Sequence, residues 1–178
     1  KENSRNGNSY NLQPTQFKVI TNSREIKELN VVSSGDFIIA SPINIEKLEI
    51  NMAGSGNILL EKKVEGNKLE INLASSGSVV ASNIDLAGIE CSLAGSGYIQ
   101  IAGKADRAEY NLAASGNIKA YECVTGKTEC NIAGSGNIQT HTRNQLEANI
   151  VGSGNVYYKG NPTTSKSIIG SGKLKSAN

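Results

Sequence analysis

Apolar side chains recur along this chain with two nested periods. Within each segment they alternate with polar residues, the period of two that marks a half-buried strand. Across segments the alternation restarts about every twenty residues, each time around a Ser-Gly pair. The pairs run from Ser34-Gly35 to Ser171-Gly172, and successive glycines lie 21, 21, 20, 19, 20, 18 and 18 residues apart. A repeat of that length is one circuit of a solenoid, too small to bury its own apolar face and stable only when stacked on its neighbours. Aligned on the glycine, the residue four before it is Val31, Met52, Leu73, Leu93, Leu112, Ile132, Ile150 or Ile168, and the residue two after it is equally apolar, from Phe37 and Ile58 to Val156 and Leu174. Six before it stand Leu29, Ile50, Ile71, Cys91, Tyr110, Cys130 and Ala148, with Lys166 breaking the column in the last repeat. Each turn is therefore expected to join two strands, both anchored inward.

Between the inward positions lie Glu28, Glu49, Glu70, Glu90, Glu109, Glu129 and Glu147. Two residues further on come Asn30, Asn51, Asn72, Asn111, Asn131 and Asn149, with Ser92 and Ser167 as exceptions. Strand parity points all of these outward. Stacked glutamates at about 5 Å in a water-like dielectric repel by roughly 0.8 kcal/mol per pair before screening. Lys47, Lys68, Arg107 and Lys127, two residues upstream on the same face, are expected to offset this. Stacked asparagines are expected to hydrogen-bond from coil to coil. The repeated glycine implies either a positive φ or a bend where any Cβ would strike the next coil.

An antiparallel meander would also use Ser-Gly-Asn turns, but it gives no reason for one residue type to return every twenty positions. Parallel stacking does. The expected fold is all-β: a single-domain right-handed parallel β-helix of about eight coils spanning residues 17–178, with 1–16 as a polar tail or linker. A left-handed hexapeptide helix is disfavoured because no period of six is visible. At about 4.8 Å per coil the rod would be about 38 Å long. Phe17 to Ile20 is the candidate first strand or cap, and the charged finish at Lys173 and Lys175 makes the last coil a poor template for further pairing.

Composition narrows the function classes. A hydrophobic share of 38% scattered singly leaves no membrane-spanning stretch. A net charge of +2 spread along the sequence gives no obvious footprint for nucleic acid or anionic lipid. The polar opening without an initiator Met reads as a mature or trimmed product, which suggests export. Cys91 and Cys130 fall two coils apart, about 9.6 Å, beyond the ~7 Å reach of a disulfide. They and Cys123 read as buried thiols acting as small apolar residues, with a metal site or a Cys123 to Cys130 bridge as the alternatives.

The blocks AGSGNI (53–58 and 133–138), AASGNI (113–118) and VGSGNV (151–156) resemble the head GIN domain of the putative autotransporter adhesin family, from about Phe17 to Ser176. The chain departs from that pattern at Ser33 to Phe37, Ser75 to Val79 and Gly170 to Leu174, and its first residue is not a lipid-bearing cysteine. The resemblance implies a β-helical, exported or cell-surface protein, often a lipoprotein, with an adhesive role and no catalytic residues.

Candidate chemistry is sparse. Calcium rolls depend on carboxylates at a nine-residue period, and this chain offers three aspartates, Asp36, Asp85 and Asp106. A glycosidase or lyase would need an irregular carboxylate or basic cluster in a loop-built groove, which the near-constant repeats leave no material for. His141, the single histidine, lies between Thr140 and Thr142 without an acid or nucleophile beside it. No catalytic residue, metal or cofactor is therefore expected. Tyr98, which replaces the usual Asn after its glycine, Tyr121 and Tyr157 are the candidate surface contacts, because aromatic faces stack on sugars or anchor proteins. The function expected is a non-enzymatic adhesion module for a glycan or protein partner at the cell surface. A carbohydrate-active enzyme and a structural spacer of the cell envelope are the alternatives.

Overall fold

In the computed structural model, residues 26–32 and 34–177 are described. The expected tail at 1–16 and the candidate cap at Phe17 to Ile20 lie outside them. Twelve strands follow one another: β1 (Glu28–Val31), β2 (Phe37–Ile39), β3 (Ile43–Met52), β4 (Asn57–Leu60), β5 (Val64–Leu73), β6 (Ser78–Leu93), β7 (Tyr98–Leu112), β8 (Asn117–Gly134), β9 (Asn137–Gly152), β10 (Asn155–Lys159), β11 (Thr163–Gly170) and β12 (Lys173–Ser176). Every pairing among them is parallel. The meander is thereby excluded, and the chain is an all-β solenoid. Eight stacked turns bound about seven full circuits, close to the eight coils expected.

The register is the alignment on glycine made physical. Glu49 pairs with Glu70, Ile50 with Ile71, Asn51 with Asn72 and Met52 with Leu73, and the same columns run on through Glu90, Cys91, Ser92 and Leu93. Burial follows the predicted parity. Leu48, Ile50, Ile58, Leu60, Leu69 and Ile71 are fully enclosed, while the glutamates and asparagines between them stay at the surface. Lys166 continues the Cys130 and Ala148 column on the last long strand, where it is exposed. Thr164 does the same for the Leu146 column, so inward positions turn polar at this end of the described coils.

The turn glycines answer the either/or posed by the sequence. Positive φ falls on glycines two residues earlier, such as Gly152 at 124°, and not on the repeated Ser-Gly glycine. What that glycine avoids is collision: a Cβ on Gly116 would stand 2.5 Å from the Gly97 carbonyl oxygen and 2.7 Å from Leu93 Cδ2. The close approach accompanies a hydrogen bond from the Asn117 amide to that same carbonyl, at 3.2 Å.

Outside, the ladders form as expected. Asn51 Nδ2 donates to Asn30 Oδ1 (3.0 Å), Asn72 to Asn51 (2.9 Å), Asn131 to Asn111 (3.0 Å) and Asn149 to Asn131 (3.0 Å), the run breaking at Ser92. The amide's second hydrogen goes to the glutamate two residues earlier, as from Asn51 to Glu49 and from Asn131 to Glu129. Lysines offset only the first rungs. Lys47 bridges Glu49 and Glu70 at 3.3 and 3.1 Å, and Lys68 bridges Glu70 and Glu90 at 3.5 and 2.8 Å. Arg107 and Lys127, expected to act likewise, make no such bridge among the described residues, so Asn111 and Asn131 alone hold Glu109 and Glu129. Asn51 and then Lys47 pull the Glu49 carboxyl below its ordinary pKa, and Lys47 does the same for Glu70.

Inside, two features break the aliphatic rule. Thr125, Thr128, Thr140 and Thr142 are buried together, with hydroxyls 2.6 Å apart between Thr125 and Thr128 and 2.7 Å apart between Thr128 and Thr142. Thr125 also donates to the His141 carbonyl at 3.1 Å, so the cluster satisfies itself without water. Tyr110 fills the column between Cys91 and Cys130. Its buried hydroxyl has no hydrogen-bond partner among the described residues, and burial pushes its pKa up, with the Cys123 thiol as the next cause. All three thiols are free and buried, and burial raises each pKa, that of Cys123 to about 12. Cys123 and Cys130 are thus not bridged to each other, and no group of three potential metal ligands occurs among the described residues.

Three outcomes follow from this packing. Gly116→Ala is expected to lower stability by about 1–3 kcal/mol, the usual range for forcing atoms into a filled space, and an unchanged melting temperature would contradict the turn. All three cysteines are expected to resist an aromatic disulfide reagent at pH 8 in the native protein and to react on unfolding in guanidinium; fast native labelling would contradict their burial. Depressed carboxyl pKa values stabilise the fold above the unfolded value of about 4.3 and cease to do so as pH falls through the folded value. The melting temperature of Lys47→Gln should therefore lie below wild type at pH 7, with the gap closing toward pH 3. The raised pKa of Lys47 itself adds a change only near and above its ordinary value of about 10.4.

Candidate interaction face

The strand that leaves each turn carries three outward columns, at one, three and five residues past the glycine. In the first three coils these hold Asp36, Asn57 and Ser78, then Ile38, Leu59 and Val80, then Ala40, Glu61 and Ser82. From the fourth coil the chemistry changes. The first column becomes Tyr98, Asn117, Asn137, Asn155 and Lys173, and the second becomes Gln100, Lys119, Gln139, Tyr157 and Lys175. Five residues past the glycine stand Ala102, Tyr121, His141 and Lys159, although register shifts pair Ala102 with Glu122 and His141 with Val124. These coils thus present mainly aromatic, amide and basic groups, with Glu122, in register with Ala102, as a carboxylate among them.

All three candidate tyrosines lie on this one face, and each is half-buried rather than fully projecting. Each also has a lysine over its ring. Lys119 Nζ lies 4.5 Å from the Tyr98 centroid, Lys159 Nζ lies 4.7 Å from Tyr121, and Lys175 Nζ lies 5.5 Å from Tyr157. Such contacts contribute about 0.5–1 kcal/mol at exposed sites. Burial raises the Tyr121 pKa, with Tyr157 as the second cause. The rings therefore act as seats for ammonium groups more than as open stacking platforms. Reading the chain without its fold missed these lysines, because their partners lie 18, 21 or 38 positions away and only the coil period brings them together.

The amides beside them form a second ladder. Asn137 Nδ2 donates to Asn117 Oδ1 at 3.3 Å and Asn155 to Asn137 at 3.1 Å, while earlier in the same column Asn57 donates to Asp36 at 2.8 Å and Ser78 to Asn57 at 2.6 Å. Tyr98 interrupts that ladder where the face changes character. His141 pairs in register with Val124 on the preceding coil and Lys159 on the following one, Tyr121 standing in the register shift between Ala120 and Val124.

The glutamate side offers a different concavity. A shallow furrow of about 690 Å³ is lined there by Lys68, Glu90, Arg107, Glu109, Lys127, Glu129 and Glu147 with their neighbours. Its glutamates are successive rungs of one ladder, Glu109, Glu129 and Glu147 accepting from asparagines and Glu90 from Lys68, and Asp106 also lines it. The three aspartates are dispersed: Asp36 accepts from the Asn57 amide and side chain, Asp85 pairs with Lys104 at 3.1 Å, and Asp106 lies within β7. Among the described residues no helix is long and apolar enough to cross a membrane.

Comparison with known proteins places these features in a family. The sequence profile of the putative auto-transporter adhesin, head GIN domain, matches residues 2–65 and again 56–162. No curated protein matches the chain. Among solved structures, a putative lipid binding protein from Parabacteroides distasonis superposes with a TM-score of 0.85 at 53% identity, covering 85% of this chain and 62% of its own. A putative adhesin from Parabacteroides merdae gives 0.79 at 33% identity, covering 85% and 64%, and a second adhesin from P. distasonis gives 0.73 at 28%, covering 83% and 64%. The chain thus spans less than two thirds of the length of these relatives. With stacked Gly-Asn-Ile turns, a shared profile along most of its length and a 53%-identical structure of the same fold, the chain belongs to the head GIN domain family of putative auto-transporter adhesins.

Proposed function

We propose that this chain is a non-enzymatic interaction module of an exported, cell-surface protein, and that the outward face of coils four to eight, with Tyr98, Tyr121 and Tyr157, meets its partner. The observation that carries this reading is the placement of all three tyrosines, each with a lysine over its ring, on one straight parallel sheet. A sheet held by in-register backbone bonds cannot close around a substrate as a loop-built cleft does, but it presents fixed groups without an ordering cost on binding. The adhesin names within the family favour the same class of activity. The relative described as lipid binding adds lipid headgroups to the partner classes worth testing.

The test is a glycan array probed with the purified chain, with depletion of each bound glycan followed in parallel and phosphatidylglycerol vesicles as a lipid arm. Saturable binding without turnover, weakened by Tyr98→Ala or Tyr157→Ala at unchanged melting temperature, is the expected result. Turnover of a glycan would instead make the chain an enzyme. Absence of binding to any glycan or vesicle, together with no effect of the tyrosine variants in a cell-adhesion assay, would leave it a spacer and overturn the proposal.

A further inference from the structure

Acidic and basic residues are interleaved along the sequence, but the fold sorts them. The glutamate ladder lies on the strands that enter the turns, whereas the post-turn columns of coils four to eight carry Lys119, Lys159, Lys173 and Lys175. One acid stands among them, Glu122, in register with Ala102 and 3.8 Å from Lys159. Lys119 and Lys175 make their contacts with tyrosine rings rather than with carboxylates, which fixes their ammonium groups without neutralising them. Lys119 and Lys175 stand in one column three coils apart, about 14 Å at the usual strand spacing. The overall charge of +2 conceals this face because the glutamate ladder cancels it in the sum.

The neutral groups between the lysines narrow the partner further. In this ladder Asn117 accepts, Asn155 donates and Asn137 does both, and their remaining amide hydrogens and lone pairs are left for a ligand. Gln100 and Gln139 fill the adjacent column. Alternating ammonium and amide groups at a constant rise suit a ligand that alternates anionic and hydroxyl groups, and one coil is comparable to the length of one pyranose unit in an extended chain. A protein partner would call for a desolvated apolar anchor at the centre, and this face shows half-buried rings covered by lysine instead.

We infer that the face formed by coils four to eight binds an anionic polysaccharide, its carboxylate or sulfate groups meeting Lys119, Lys159 and Lys175 and its hydroxyls meeting the Asn and Gln columns. The inference rests on the interaction face proposed above and specifies its ligand class.

Polygalacturonate serves as the probe, with neutral dextran of matched length as the comparison. The 178-residue chain is expected to bind polygalacturonate saturably at 50 mM salt, and to weaken about tenfold or more at 200 mM as the lysine charges are screened. Lys119→Gln combined with Lys175→Gln should weaken binding by about tenfold or more, the scale of one lost charge contact or greater. Lys47→Gln combined with Lys68→Gln removes the same net charge from the glutamate side and should change binding by less than about twofold. Circular dichroism checks that both pairs of variants remain folded. Equal losses in the two double variants, binding unaffected by salt, or absence of binding to polygalacturonate would overturn the anionic assignment. Should dextran bind through Tyr98 and Tyr157 while polygalacturonate does not, this inference falls and the interaction-module reading stands. Preference for phosphatidylglycerol vesicles over polygalacturonate would likewise overturn it in favour of a lipid headgroup.

Discussion

The solenoid depends on how closely one turn can lie on another. Each Ser-Gly glycine packs against the carbonyl of the glycine in the preceding coil, and amides just past the turn, such as those of Tyr98, Asn117 and Asn137, donate to that carbonyl at 3.2–3.3 Å. A Cβ on the later glycine would sit 2.0–2.5 Å from the same oxygen, well inside any van der Waals contact. Glycine is thus the condition for the coil spacing at the tightest point of the circuit. Once the turns stack in register, the strands on either side have no freedom to slip, because a shift of one residue would turn every inward side chain outward.

In-register stacking makes every column a series of like groups, and the consequences differ with the chemistry. Asparagine gains from it, since an amide can donate to the coil on one side and accept from the coil on the other. Glutamate loses, and the loss is managed by the asparagine two residues on and, in the early coils, by lysines that each bridge two rungs. Exposed pairs of this kind contribute little individually. Their value lies in removing a repulsion that would otherwise repeat at each coil. Inside, the same rule allows Thr125, Thr128 and Thr142 to come together, where a single buried hydroxyl would be left unsatisfied.

The rod is not uniform along its length. Its post-turn face runs from Ile38, Leu59 and Val80 in one column to Lys119, Tyr157 and Lys175 further along it, while interior positions pass from Leu86 through Ala105 to Thr125 and Thr142. Backbone geometry holds nearly constant while side-chain chemistry drifts. A fold whose coils are joined by parallel main-chain ladders tolerates such drift, and this lets one face acquire a binding character without disturbing the core.

The sequence by itself determined the coil length, the parallel stacking, the inward and outward columns and the burial of the thiols, because each follows from a periodicity that physics couples to geometry. It also pointed to Tyr98, Tyr121 and Tyr157 as the irregular surface chemistry. What only the tertiary structure decided are relations between residues of different columns and different coils: Lys159 over Tyr121 from 38 residues away, Arg107 and Lys127 failing to bridge the glutamates, and four threonines closing a network inside. Those depend on side-chain reach and on local bulges, such as the register shift between Ala120 and Val124, which a period of twenty does not encode. The gathering of lysines on one face escaped the sequence for the same reason, since charge summed along the chain carries no information about which side of a coil each residue occupies.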